Sequence, residues 1–281
     1  MTASRLDVTP DQYLADPCDA PSLSPSIAKI LIGKSPLHAW TEHPKLGNMP
    51  RPASAAMNQG QLIHALLLNQ EDRLVSIKAD DFRTKQAQEA RDAATAEGKT
   101  AVLEHVYADA YKVCIELRFI LAEQGVELQG DNEVAISWQE GDAHCRTMID
   151  YVDFDLAQTI EIKTISSADS GTCSRQSFSL GYDIQYAAHI AALNALRPDL
   201  AGRWDYRFAF IEMDVKRGLI LPPYSVVCRQ PDGAFEEMGL RRWAQAVKLW
   251  SSCIKSNNWP GYDVTPLTLP GWAMAQMDEF V

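Results

Sequence analysis

The chain has 281 residues, of which 46% are hydrophobic and 22% charged, with a formal net charge of −11. That length is ample for a buried core in one large domain, and the composition is that of an ordinary globular protein, not of a disordered or fibrous one. Taken alone, the acidic balance argues against a nucleic-acid partner, although it does not exclude a local basic groove.

Residues 1–60 are rich in Pro, Ser and Asp. Ser24-Pro25 reads as a helix start, a Ser cap followed by Pro in the first turn, and predicts a helix from Ser26 to Ile32. Ser35-Pro36 repeats the signal before Leu37 to Thr41. Glu42 to Ser54, with Pro44, Pro50 and Pro52, reads as loop. Asn58-Gln59-Gly60 opens a helix, GQLIHALLLN, apolar on every face and therefore buried, with His64 inside it. Residues 82–125 are predicted helical apart from Gly98, with Val102, Val106, Val113, Leu117 and Ile120 as an apolar stripe.

The period changes at Glu133. EVAISW alternates as a strand does, Asp142 to Phe154 is a second strand and Gln158 to Ile165 a third, with a hairpin turn at Gln139 to Asp142. Ser166 to Ser179 reads as a Ser/Thr-rich loop, 182–196 as a helix, Trp204 to Met213 and Leu219 to Val227 as strands, and Ala234 to Ser256 as a long helix. The sequence thus predicts a single domain over 1–281. It comprises a mostly helical part (1–130), a sheet-containing core (131–258) and an extended tail (259–281) wrapped over the body. No apolar run approaches the ~20 residues of a membrane helix. The N-terminus MTASRLDVTPDQY lacks a basic start and apolar stretch, so a cytoplasmic location is expected. The six cysteines form no CxxC pair and are expected to be reduced thiols.

The chemistry-bearing constellation is Asp150 followed, after ten intervening residues, by Glu161-Ile162-Lys163. Residues two apart on a strand share a face, so Glu161 and Lys163 project together while Ile160 and Ile162 point the other way. If the two strands pair as a hairpin, Asp150 joins them at one end. Hydrolysis of a phosphodiester calls for a hard cation that polarises the phosphoryl oxygen and acidifies water. Mg²⁺ is held by few carboxylates and keeps waters. Asp150 and Glu161 suit that task, and Lys163 can hold the water and offset charge growing on the phosphate. The plain alternative is that Glu161 and Lys163 form the solvent face of an edge strand.

In four ordered blocks the sequence resembles the PD-(D/E)xK nuclease superfamily, and within it the RecB-type and exodeoxyribonuclease VIII-like recombination exonucleases. The blocks are LSPSIAKILIGKSPLHAW, NQGQLIHALLL, RTMIDYVDF with TIEIKTIS, and YDIQYAAHIAAL. The resemblance implies a restriction-endonuclease-like α/β fold, a mixed sheet flanked by helices with a helical N-terminal extension. It implies a Mg²⁺-dependent exodeoxyribonuclease, with Mn²⁺ as a substitute, acting on linear duplex DNA to generate single strand for recombination. It implies that His64, Asp150, Glu161 and the Ile162 carbonyl hold the metal, that Lys163 is the catalytic lysine, and that Gln185 approaches the metal site and the DNA backbone. Glu133 is an auxiliary acidic candidate. The family places a tyrosine four residues after the glutamine; here His189 stands there, which leaves open whether His189 or Tyr182 takes that role. Tyr182, Gln185, Tyr186, Arg146 and Arg175 are the candidate DNA contacts, with Lys29, Lys34, Arg83, Lys85, Arg91 and Lys99 as further phosphate contacts. A 5′ to 3′ polarity, a homo-oligomer and a single-strand annealing protein as partner are also implied. The alternatives are an endonuclease or single-strand nuclease on the same fold, and a catalytically idle DNA-binding module.

Overall fold

A computed structural model of the chain describes residues 3–49, 59–214, 219–271 and 273–274. The elements in chain order are β1 (Ala3–Leu6), α1 (Pro10–Leu14), α2 (Pro25–Gly33), α3 (Pro36–Glu42), α4 (Gln59–Leu67), β2 (Leu74–Ile77), α5 (Lys85–Ala96), β3 (Thr100–Leu103) and α6 (Glu104–Glu123). They continue with β4 (Asp131–Glu140), β5 (Ala143–Asp153), β6 (Gln158–Ile165), α7 (Ser170–Leu180), α8 (Tyr182–Leu196), β7 (Asp205–Glu212), β8 (Val226–Arg229) and α9 (Gly233–Ser256).

Six strands form one mixed sheet in the order β1-β4-β5-β6-β7-β8, antiparallel throughout except for the β6–β7 pair. A parallel pair needs a long crossover, and α7 with α8 supplies it. A small parallel pair, β2–β3, stands apart.

The sheet is buried on both faces. Ile27, Leu31, Ile184, Leu193, Trp243 and Trp250 pack α2, α8 and α9 against Val134, Ile149, Phe208 and Phe210. Leu62, Leu66, Leu117 and Leu121 pack α4 and α6 against Tyr151, Ile160, Ile162 and Ile211 on the other face. The period-two alternation of β6 therefore sends Ile160 and Ile162 to one layer and leaves Glu161 and Lys163 facing the other.

Ser24 and Ser35 cap α2 and α3, each accepting from the backbone N–H three residues on, with Pro in the first turn. Gly181 ends α7 and begins α8 with φ +74, a left-handed turn that suits glycine. At Gly239 a Cβ would lie 2.2 Å from the Asp183 carbonyl, so only glycine lets α9 approach α8 this closely.

Several expectations are corrected. Thr100–Leu103 is a strand, not helix: its TAVL stretch pairs with β2, whose LVSI is equally short. β1 pairs across to β4 and carries no alternation long enough to read. The stretch expected as loop before residue 180 folds as α7, because Asp169 caps it and Cys173 and Ser177 provide a buried side. Of Leu219 to Val227, only Val226 and Val227 fall in a strand, and Leu219 makes an isolated bridge to Asp214.

The loop expected over 42–54 is described only as far as residue 49, and Asn58 of the expected helix start lies outside the described residues. The segment after α9 carries no regular secondary structure from residue 258 to 270, with Trp259 against Trp250, Tyr262 against His38 and the Leu37 N–H donating to the Pro260 carbonyl. The remainder of the tail lies partly outside the described residues. All six cysteines are free thiols, four of them buried. No helix among the described residues is long and apolar enough to cross a membrane.

Candidate functional site

The β5–β6 ladder closes at Tyr151↔Ile160, and the strands fork immediately beyond it. At the fork the two acids reach across to each other's backbone. The Asp150 N–H donates to Glu161 Oε1 at 3.1 Å, and the Ile162 N–H donates to Asp150 Oδ2 at 2.9 Å. Side chains thus satisfy amides that the ladder leaves open, and both carboxylates are pinned beside the gap.

Helices close on this fork from both layers. From α4, His64 Nε2 lies 3.2 Å from Asp150 Oδ2. From α8, the Gln185 Nε2 amide donates to Glu161 Oε2 at 2.8 Å, and His189 Nδ1 lies 3.4 Å from Glu161 Oε1. Lys163 Nζ, two residues along β6, donates to Glu161 Oε2 at 2.8 Å and sits 4.9 Å from the Tyr182 ring centroid. The structure therefore brings His64, Asp150, Glu161, Lys163, Tyr182 and Gln185 together from four elements. A cleft of about 310 Å³ opens beside them, lined by His64, Ile162, Thr164, Gln70 and Arg73.

Glu161 is 1% exposed. Its carboxyl is pushed above the ordinary range, by burial first and then by the charge of Asp150. For Asp150 burial acts upward too, but His64, Lys163 and the Ile162 amide outweigh it and hold the group low. Burial also works against charge on Lys163 and His64; the facing carboxylates outweigh it in both and raise both. His189 is pushed down to about 3 by burial first and Lys163 second, so it stands beside Glu161 as a neutral ring.

Other expected residues lie differently. The pairs Asn132↔Tyr151 and Val134↔Ile149 set Glu133 across from Asp150, at a left-handed backbone position (φ +48). Its carboxylate faces Arg73 at 3.2 Å. Tyr186 turns its hydroxyl to Glu236 Oε1 at 2.7 Å, not to the fork. Arg175 lies exposed on α7, not in a loop, donating to Thr172 Oγ1. Arg146 is corrected as a DNA contact. It is 2% exposed, 3.2 Å from the buried Asp16 carboxylate and bonded to Ser22, where a phosphate has no access. Among the further basic candidates, Lys34, Arg83, Lys85, Arg91 and Lys99 each face a neighbouring carboxylate.

Sequence reasoning did not single out Arg73 or Tyr206. Tyr206 lies with its hydroxyl 3.1 Å from His189 Nδ1. Neither has a local signal, because each is recruited from a different strand or turn. His189 was visible only as a histidine where a tyrosine is expected.

Among the described residues, no group of three or more His, Cys, Asp and Glu side chains is arranged to enclose a metal ion. A water-rich hard cation needs less. Two adjacent ligands of an octahedral Mg²⁺ at 2.0–2.1 Å stand ~3 Å apart, close to the 3.2 Å between His64 Nε2 and Asp150 Oδ2. Mg²⁺ takes one or two carboxylates and keeps its waters. Burial first, and the Asp150 charge second, disfavour the ionised form of Glu161, and a cation beside the two acids would favour it. The donor set fits such a cation, with Ile162 on the wall of the same cleft.

No protein-family model and no curated protein matches the sequence. Among solved structures, a provisionally named exonuclease from Eubacterium rectale is similar with a TM-score of 0.61 at 12% identity, covering 96% of this chain and 98% of that one. A phage-related exonuclease from Haemophilus somnus 129PT aligns over 73% of this chain and 97% of its own at 14% identity, but its TM-score of 0.32 carries no argument. The likeness to the E. rectale protein runs through nearly the whole of both chains, and what it establishes is a shared fold: a mixed α/β sheet flanked by helices.

Proposed function

We propose that the chain is a metal-dependent DNA exonuclease of the PD-(D/E)xK type, hydrolysing phosphodiester bonds of linear duplex DNA from an end and leaving single strand. The observation that carries this reading is the strand fork, where Asp150, Glu161 and Lys163 meet each other and His64 beside an open cleft. The provisional name of the E. rectale protein agrees with it.

In this reading His64 and Asp150 hold Mg²⁺, or Mn²⁺ in its place, with the Ile162 carbonyl and Glu161 nearby. When bound, the ion polarises the phosphoryl oxygen and acidifies an attacking water. Lys163 remains an ammonium under the pull of both carboxylates and stabilises negative charge building on the phosphoryl oxygens. Glu161 anchors that ammonium. Gln185 holds the Glu161 carboxylate in place, His189 stands beside it as a neutral ring, and the Tyr182 ring supports the ammonium from the α8 side. A homo-oligomer and a single-strand annealing partner are further consequences of the same reading.

The test uses end-labelled linear duplex and a covalently closed circle, each with Mg²⁺ and with EDTA. The reading expects degradation of the linear form alone, its abolition by EDTA and its loss in Lys163→Met. Cutting of the closed circle would make the protein an endonuclease, and unchanged hydrolysis by Lys163→Met would remove the proposed site.

A further inference from the structure

Beside the fork lies a second cavity, of about 720 Å³, between α7, the start of α8, the start of α9 and strands β7 and β8. Its size falls within the range of small-molecule pockets. Four phenylalanines, Phe178, Phe208, Phe210 and Phe235, line it together with Met238. Phe178 is 52% exposed and Met238 44% exposed, so these two side chains stand open at the rim, over a floor of the buried core residues Phe208 and Phe210. One guanidinium, Arg229, also lines it. Its Nη2 donates to the Ala168 carbonyl, its Nε is buried without a partner, and it makes no ion pair among the described residues. The two acids of the lining are already satisfied. Asp183 is held by Arg242 at 2.7 Å, and Asp232 accepts from the Phe235 N–H at the start of α9.

The cavity shares no lining residue with the cleft beside His64 and abuts the candidate site from the Lys163 face of the sheet. Phe208 and Phe210 pair in register with Glu161 and Lys163 on the neighbouring strand. Phe208 stacks on Tyr182 at 5.7 Å between centroids, and Tyr182 in turn faces the Lys163 ammonium. The pocket thus begins one aromatic ring beyond the lysine. Phe178 is steadied from outside by the Arg242 guanidinium, 5.1 Å from its ring centroid.

We infer that this cavity is a subsite for an unpaired nucleobase of the strand that enters the fork, stacked among the phenylalanines with an acceptor on its edge facing Arg229. Every base offers a π-face, and stacking on aromatic side chains holds single-stranded nucleic acid with little regard to sequence. A guanidinium inside an aromatic pocket supplies hydrogen-bond donors in a plane, suited to base carbonyl and ring-nitrogen acceptors. The choice of a base as occupant rests on the DNA-hydrolase reading; the pocket and its lining do not.

The test is a binding measurement in EDTA, so that no hydrolysis intervenes. Fluorescence anisotropy compares a short oligodeoxyadenylate of about seven nucleotides with an oligomer of equal length made of abasic sites. The parent protein is expected to bind the base-bearing strand about ten-fold or more tightly. Phe178→Ala, at an exposed position, is expected to lose most of that difference while melting like the parent, and Arg229→Gln to lose part of it. Equal affinity for the two oligomers, no binding of either, or a Phe178→Ala protein that discriminates as the parent does would overturn the subsite. Failure of the two proposals is separable. A protein that degrades linear duplex but ignores the bases loses only the subsite. One that discriminates through Phe178 yet hydrolyses nothing loses only the nuclease reading.

Discussion

Replacing Arg146 with Met tests whether this arginine serves the fold or a nucleic acid. In the structure its guanidinium lies 3.2 Å from Asp16 Oδ2, donates to the carbonyl and hydroxyl of Ser22 and sits 5.4 Å from the Tyr13 ring centroid. Asp16 is itself without solvent contact and is further held by the Ser22 N–H and hydroxyl and by His43. Removing one member of a buried pair strands the other charge, at a cost of about 3–5 kcal/mol. With an unfolding entropy of roughly 2.1 cal/mol/K per residue over 281 residues, the whole chain has about 0.6 kcal/mol/K, and the midpoint falls by about 5–8 °C. Differential scanning calorimetry measures it, with anisotropy on labelled duplex DNA alongside. An Arg146→Met/Asp16→Leu double variant should recover part of the loss, since an apolar pair leaves no stranded charge. If Arg146→Met melted within a degree of the parent and instead weakened DNA binding, the buried-pair argument would be wrong.

The same cluster gives a pH dependence. Burial acts to raise the Asp16 carboxyl, but His43, Arg146 and Ser22 outweigh it and hold it well below the ordinary carboxylate value. A depressed folded-state pKa contributes stability that is complete above the unfolded value of ~3.9 and is lost as pH falls below it. Urea midpoints between pH 6 and 3 should therefore decline less steeply in Asp16→Asn than in the parent; parallel declines would refute the assignment. Gly239→Ala drives a Cβ into the Asp183 carbonyl at 2.2 Å and should cost at least about 1–3 kcal/mol through forced backbone movement; a urea midpoint like the parent's would contradict the tight α8–α9 approach. Lys163→Met should lower hydrolysis of linear DNA roughly 10²–10³-fold with the far-ultraviolet dichroism unchanged, whereas a collapse of the fold would show the lysine to be chiefly structural. Manganese binding followed by electron paramagnetic resonance should weaken in His64→Ala, and equal affinity would place the cation elsewhere.

Within the site, the alternation of TIEIKTI made the common face of Glu161 and Lys163 legible, because period two is a property of the extended backbone itself. The turn at Gly141 and the amphipathic lengths around it made the β4–β5 hairpin legible in the same way. The short strands β1, β2 and β3 were hidden, since four residues carry no dependable period and each is stabilised by a partner distant in sequence or by a crossover. α7 was obscured by a Ser/Thr-rich composition that its Asp169 cap and buried side override.

The sequence by itself determined which residues carry the carboxylate and ammonium groups of the candidate site and that Glu161 and Lys163 share a face, since local geometry suffices for both. Tertiary structure alone decided which charges meet. It forked β5 from β6 so that Asp150 and Glu161 cross to each other's amides, delivered His64 and Gln185 from opposite layers, set Arg73 against Glu133 and enclosed Arg146 with Asp16. Electrostatic and hydrogen-bond partners are set by distances of a few ångströms between remote segments, and those distances follow from packing.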